Sequence, residues 1–562
     1  MRGTSRSARE PFVGRARELQ LCRQLLTGKF GMFYVYGPPG VGKSRLLAEC
    51  AAMAESLEMP VSRLDASSIR PSPRAVREAL IDLPESSVVE PALLVIDGFE
   101  AHRALENYYA SELWPMLPEG TRLIVAGTEC LTRKWQRPDA PICEHALPPF
   151  SEVEVRMYLQ QRSIAGGCHE LLQVRSEGRP LWLSTLAEFA GDGRLESIPG
   201  QGRRCTLQQL VSHLLREAPG DEHRAALWAA SMVPILSERL LAAMLDLPRS
   251  NECYRWLATR PYVTVERGGL VLHGLFREPL YQELIDTDQT LYRQLVLRCG
   301  RFHIARVESA REPKQRTRLA HMLMSSLRFE APVAELYTQL ARSPLYRDEI
   351  VRGDGPMLDH MVRTYEGAVA AELSAHYRKQ HAEGVTVFRD VEGRPVAFMQ
   401  TLQLGLLGRQ DEAADVAVSA AITALHERVA AMLGRRRSHR RTAKHAVLVR
   451  SWMDAERYQS MGPGTAELIG RMLFSALAAY ELSIMMIVCS EKTVAAAGPL
   501  IEDGLLVNLS PEGFVLGEHR YGLLGVDFTS TPVTRFLREA LTLMISGAHH
   551  PGGSHAESVA TW

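Results

Sequence analysis

The chain has 562 residues, which at roughly 100–200 residues per domain predicts several domains with separate cores and excludes a single small module. It is 46% hydrophobic and 23% charged, a globular composition that excludes a disordered or collagenous protein. Its 65 basic and 65 acidic residues cancel, which argues against a dedicated nucleic-acid coat and leaves room for a local basic patch. Nine cysteines stand singly with no C-x-x-C pair, the pattern of reduced thiols in a cytoplasmic protein and not of a disulfide framework or zinc site.

Residues 1–10 carry Arg2, Arg6 and Arg9 but no apolar run, and read as a flexible tail rather than a signal peptide. From 11 to 190, β-rich runs at Met32–Tyr36, 61–64, 92–96 and 122–126 alternate with helical patterns, predicting a parallel sheet with crossover helices. Between the first run and the helical stretch after it lies Gly37-Pro38-Pro39-Gly40-Val41-Gly42-Lys43-Ser44, which fits G-x-x-x-x-G-K-[ST] in the strand-to-helix context that motif requires. Glycines allow backbone amides to turn toward phosphates, the helix start adds positive potential, Lys43 supplies a cation and Ser44 a ligand for Mg²⁺. ATP or ADP with Mg²⁺ is the expected ligand, and Arg45 falls at the loop's edge.

Downstream, Leu93-Leu-Val-Ile-Asp97 is an apolar strand ending in a carboxylate placed to join Ser44 at the metal. Glu100 has two readings, a carboxylate that orients the attacking water or one that only favours the start of the next helix.

Residues 195–305 read as helices followed by a hairpin over 262–273, and 306–350 as a helical connector whose charged stretch 308–318 is solvated. The longest apolar stretch, 468–489, is broken by Arg471 and Glu481 and reads as a buried helix and a strand, not a membrane span. In 351–548 a second α/β region begins with a hairpin at 384–404 and continues through strands at 446–450, 483–489 and 520–528; 549–562 reads as a disordered tail.

Four segments together, Phe12-Val13-Gly-Arg-Ala-Arg-Glu-Leu19, the phosphate loop, LLVIDGFE and Gly178-Arg-Pro180, resemble the NTPase module of STAND-class signal-transduction ATPases, relatives of AAA+ proteins. The resemblance implies that Phe12 and Val13 pack beside the adenine, that Pro180 lies near the nucleotide, and that a winged-helix domain follows. It also implies that His273 touches the β-phosphate of ADP and locks the inactive state; read locally, the same residue is an ordinary core or wing histidine. Gly98 stands where many members carry a second acid, and Gly127-Thr128-Glu129 where an arginine sensing the γ-phosphate is usual, which implies slow or partner-dependent hydrolysis.

The element order of the last region resembles a GNAT-type acetyltransferase. Gln459-Ser-Met-Gly462-Pro463-Gly464 fits the Q/R-x-x-G-x-G/A loop that cradles the acetyl-CoA pyrophosphate, although Pro463 removes an amide and a plain turn fits the same residues. No tyrosine follows Glu491 where such enzymes place an acid, so the expectation is a catalytically silent domain. The run Arg435-Arg-Arg-Ser-His-Arg-Arg-Thr-Ala-Lys444 either contacts phosphates of nucleic acid, CoA or an acidic partner, or is a solvated loop without aromatics to stack bases.

The fold class expected is therefore multidomain α/β: a P-loop NTPase parallel sheet, a helical and winged-helix domain, and a C-terminal mixed α/β, GNAT-like domain. The function expected is a nucleotide-dependent switch acting on a protein partner or a second copy of itself. An ATP-regulated acyltransferase and a DNA-associated AAA+ factor are the alternatives.

Overall fold

The computed structural model describes residues 12–81, 92–132, 141–191, 206–247, 250–266, 268–328, 330, 333–433, 445–478, 482–528, 535, 537–539 and 541–542. The basic run 435–444 and both terminal tails lie outside the described residues. The chain divides into two units, Met1–Leu295 and Val296–Trp562.

In the first unit, β1 (Met32–Tyr36), β2 (Val61–Asp65), β3 (Leu93–Asp97), β4 (Arg122–Gly127) and β5 (Ile142–Ala146) form a parallel sheet in the order β2-β3-β4-β1-β5. β1, β3 and β4 are covered on both faces, so their sequences are nearly unbroken apolar runs. β5 escapes that signature because Ile-Cys-Glu-His-Ala is an edge strand: Glu144 is exposed, and His145 reaches Glu18 at 3.0 Å. The helices α1 (Ala16–Leu26) and α2 (Lys43–Ser56) bury Cys22, Leu25, Leu46, Leu47 and Cys50 against Phe33, Val35, Leu93, Val95 and Ile124. Each large side chain in that layer contributes about 1.5–3 kcal/mol. All five strands run the same way, so β1 and β3 deliver the phosphate loop and Asp97 to one rim of the sheet, where ligands of open α/β sheets bind.

Three helices, Glu152–Gln161, His169–Ser176 and Pro180–Gly191, follow the sheet. The first starts with a full capping box between Ser151 and Glu154, which satisfies two orphan amides. Further on, Asp221–Met232, Glu238–Leu245 and Ser250–Ala258 precede the hairpin β6 (Val263–Glu266) and β7 (Gly269–Leu272) and the helix Gly274–Thr287. Leu236 exchanges two 2.8 Å backbone hydrogen bonds with Leu270, an isolated antiparallel bridge at the edge of the hairpin. That approach requires glycine at 269, where φ is 152° and a Cβ would strike the Leu236 carbonyl.

In the second unit, β8 (Tyr346–Asp348), β9 (Val385–Arg389), β10 (Pro395–Gln403), β11 (Ala446–Asp454), β12 (Ile484–Ser490), β13 (Val507–Asn508) and β15 (His519–Asp527) run in the order β13-β15-β12-β11-β10-β9-β8, and β14 (Phe514–Leu516) pairs with β15. Only β11 and β12 are parallel neighbours; the other pairs are antiparallel. The helices Gly355–Glu366, Ala368–Gln380 and Val416–Leu433 pack on one face, and Pro463–Ala478 on the other.

Two expectations change here. β8 lies in the stretch read as connector, and the charged stretch 308–318, read as a solvated linker or helix face, belongs to the ends of two helices, exposed at 308, 309, 311, 312, 315 and 318 and buried at Ala310 and Arg316. β11 also runs past residue 450 to Asp454 through a bulge: Thr401 pairs with Val449 and Gln400 with Ser451, so Arg450 is the extra residue. Its guanidinium turns into the core, donating to Asp415 at 2.6 Å and Glu366 at 2.8 Å. β11 and β12 stay paired only from Ala446–Ile484 to Val449–Ile487 and then diverge. Trp452 Nε1 and Gln459 Nε2 cross the gap to donate to Val488 O at 2.8 and 3.1 Å.

Candidate nucleotide site

The phosphate loop depends on glycine at three points, since Gly37, Gly40 and Gly42 have φ of 155°, 80° and 99°. The second and third also admit a neighbour: a Cβ at Gly40 would press Leu181 at 3.2 Å, and one at Gly42 would touch Pro180 at 3.6 Å. Leu181 N donates to Gly40 O at 3.2 Å, so the Gly-Arg-Pro segment rests directly on the loop. Pro38, Pro39 and Ser44 are exposed at the surface of this rim, while Val41 is buried beneath it.

Lys43 Nζ donates to Gly37 O at 2.7 Å and Pro38 O at 3.3 Å, holding the ammonium inside the curl of the loop. Burial lowers its pKa, and the carboxylates of Glu100 and Asp97 oppose that shift; the three groups therefore share one electrostatic site. Asp97 Oδ1 accepts from Gly98 N at 2.9 Å, which orients the carboxylate at the strand end. Glu100 is exposed in a 3₁₀ turn beginning at Phe99.

These residues fit a nucleotide with Mg²⁺: the loop is a cradle that any Cβ would fill, its cation is preplaced, and Ser44 and Asp97 supply the one or two oxygen ligands Mg²⁺ takes beside phosphates. Among the described residues no cluster of three or more His, Cys, Asp or Glu forms a separate metal site, and no helix is long and apolar enough to cross a membrane.

Arg15 is a member of the site that its sequence position does not advertise. It is 4% exposed, and its guanidinium donates to Val41 O at 3.0 Å and Pro148 O at 2.7 Å, tying the Phe12–Val13 segment to the phosphate loop and to the chain just beyond β5. Glu154 accepts from Arg15 N at 3.0 Å; burial pushes that carboxyl up, but amides of Arg15 and Ser151 outweigh it and hold it below the usual range. Phe12 lies under Arg45, whose guanidinium carbon is 6.0 Å from the ring centre.

His273 caps the helix Gly274–Thr287, its Nδ1 accepting from Leu275 N at 3.2 Å. Burial, together with the charges of Lys43 and Arg277, lowers its pKa to about 4, so the ring is neutral at pH 7 with its proton on Nε2. At the end of β4, where no arginine stands in sequence, Arg103 reaches in from the 3₁₀ turn and donates to Cys130 O at 2.7 Å.

Residues 33–114 match the model of the ATPase family associated with various cellular activities (AAA). The N-terminal sheet is an AAA-type P-loop ATPase domain. Solved structures similar to this chain include a STAND protein with a tetratricopeptide repeat sensor from Pyrococcus horikoshii, at 14% identity and TM-score 0.40, covering 66% of this chain and 56% of that one. The chain thus spans little more than half of that protein. Thermotoga maritima RuvB (14%, TM-score 0.25, covering 49% and 95%) and domain III of the T. maritima replication initiation protein DnaA (12%, 0.26, 36% and 93%) are also similar. No curated protein sequence matches.

The acetyl-CoA expectation meets a different outcome. Gln459, with φ 48°, turns its side chain away from the loop: Oε1 accepts from Ser490 N at 2.7 Å, and Nε2 is spent on Val488 O. Pro463 costs nothing, because it opens the helix Pro463–Ala478, where an N–H would have no partner. The depression between Tyr458–Ser460 and Ser490–Ala496 holds about 20 Å³, room for one water. The loop does not fit the pyrophosphate of CoA.

Proposed function

We propose that this chain is an ATP/ADP-dependent switch of the STAND type, in which the nucleotide held by the AAA-type ATPase domain sets what the protein presents to a protein partner or a second copy. The single observation that carries the reading is His273: half-buried at the start of the helix Gly274–Thr287, neutral, with Nδ1 taken by Leu275 N and its proton on Nε2, it is a donor that a phosphate oxygen held by the loop would satisfy. Because it belongs to the helical segment behind the hairpin β6–β7, its hydrogen bond to a bound diphosphate would couple that segment to the sheet. The order of helices and hairpin there supports the winged-helix assignment.

Bound Mg²⁺ would neutralise phosphate charge beside Ser44 and Asp97. Lys43 binds the phosphates, Asp97 and Ser44 orient the metal side, and Glu100 is the exposed carboxylate suited to position water. Without an arginine at 127–129, turnover would be weak or regulated. The strand order of the second unit, with its one parallel pair diverging after Val449, supports a GNAT-like domain without acyl transfer. The test is ADP release from the full chain: His273→Ala should speed it about tenfold or more with ATP affinity unchanged, and an unchanged release rate would contradict the lock.

A further inference from the structure

We propose that Asp454 is a built-in anion seated where a phosphate of the cofactor would lie, and that it closes the second unit to CoA; this rests on the GNAT-like reading of the sheet. The construction around it is otherwise that of a phosphate seat. β11 leads through a loop into the 16-residue helix Pro463–Ala478, whose first turn offers backbone amides and positive potential. The Thr465 hydroxyl in that turn is 1% exposed and has no hydrogen-bond partner among the described residues, a polar atom that a phosphate oxygen would satisfy. One cation stands beside the turn: Arg457, whose Nη1 donates to Met461 O at 3.2 Å and whose side chain packs on Gly462.

The seat is taken by the chain itself. Asp454 Oδ1 accepts from Glu456 N at 2.9 Å, and Oδ2 packs so closely on Gly464 that a Cβ there would collide with it. A carboxylate so placed takes up the potential of the helix start and repels a second anion. Gly464 is needed here because an aspartate, not a ligand, approaches the backbone.

Titration calorimetry of the full chain with CoA tests this. Wild type should give no saturable heat, and Asp454→Ala should bind CoA at least tenfold above the wild-type detection limit, with inorganic pyrophosphate competing. Asp454→Asn keeps the acceptor for Glu456 N and the bulk on Gly464 and removes only the charge, so it should melt within a few degrees of wild type and bind CoA more weakly than Asp454→Ala but above the wild-type limit. Saturable CoA binding by wild type would overturn the closure. Absence of binding in all three proteins would overturn Asp454 as its cause. The GNAT-like reading fails separately, if an experimental structure shows a strand order other than β13-β15-β12-β11-β10-β9-β8.

Discussion

The loop from Gly37 to Ser44 and the loop from Gln459 to Gly464 share a plan: a buried strand, a glycine-containing turn, and a long helix whose first amides face the turn. In the first, the carboxylate Asp97 ends β3, one strand removed from the strand that enters the loop, and the curl of the loop holds Lys43 Nζ. In the second, the carboxylate ending the same strand that enters the loop, Asp454, folds back onto the helix start. Glycine spacing alone therefore does not make an anion site. The sign of the charge that the chain itself places inside the turn decides whether a phosphate enters.

Several substitutions break or sharpen this contrast. Lys43→Ala removes the cation from the first loop and should weaken ATP binding roughly 100-fold, read by fluorescent-nucleotide titration, since a hydrogen bond to a charged group contributes about 1.5–3 kcal/mol. Arg15→Ala strands the Val41 and Pro148 carbonyls and should cost about 2–3 kcal/mol in urea unfolding, with nucleotide affinity falling as the loop loosens.

His273 gives the first site a pH signature. Its folded pKa, about 4, lies below its ordinary 6.5, so the stability it contributes is complete above pH 6.5 and is lost as pH falls toward 4. Between pH 7 and 5 that loss is about 2 kcal/mol, and His273→Asn should remove it from the unfolding profile, leaving the separate share of His303, which burial also lowers to about 4. Asp97→Asn should reduce nucleotide affinity about tenfold in Mg²⁺ and leave it unchanged in EDTA. In the second loop, Gln459→Ala should cost about 1–2 kcal/mol through the lost bonds to Ser490 N and Val488 O and change nucleotide binding not at all.

What could be read in the sequence follows from how local the physics is. The strands MFYVY, LLVID and RLIVAG announce themselves because burial on both faces demands continuous apolar residues, and the phosphate loop does so because its turn demands glycine at fixed intervals. β5 does not, because an edge strand tolerates Glu144 and His145. Arg15 was invisible because its acceptors come from positions 26 and 133 residues away, and no local pattern marks an arginine as buried. Gln459 and Gly464 matched a cofactor motif correctly as a turn and misleadingly as a cradle, because the side chain that fills the turn belongs to the preceding strand. A carboxylate at the end of an apolar strand reads the same at Asp97 and Asp454; only its direction of approach separates a metal ligand from an occupant.

Whether nucleotide held at the first loop sets the state of this protein is read from the nucleotide content of the purified chain, released with acid and resolved by chromatography beside Lys43→Ala. Co-purified ADP that the Lys43→Ala protein lacks is the predicted result. A wild-type protein that is empty and also fails to bind added ATP would contradict it.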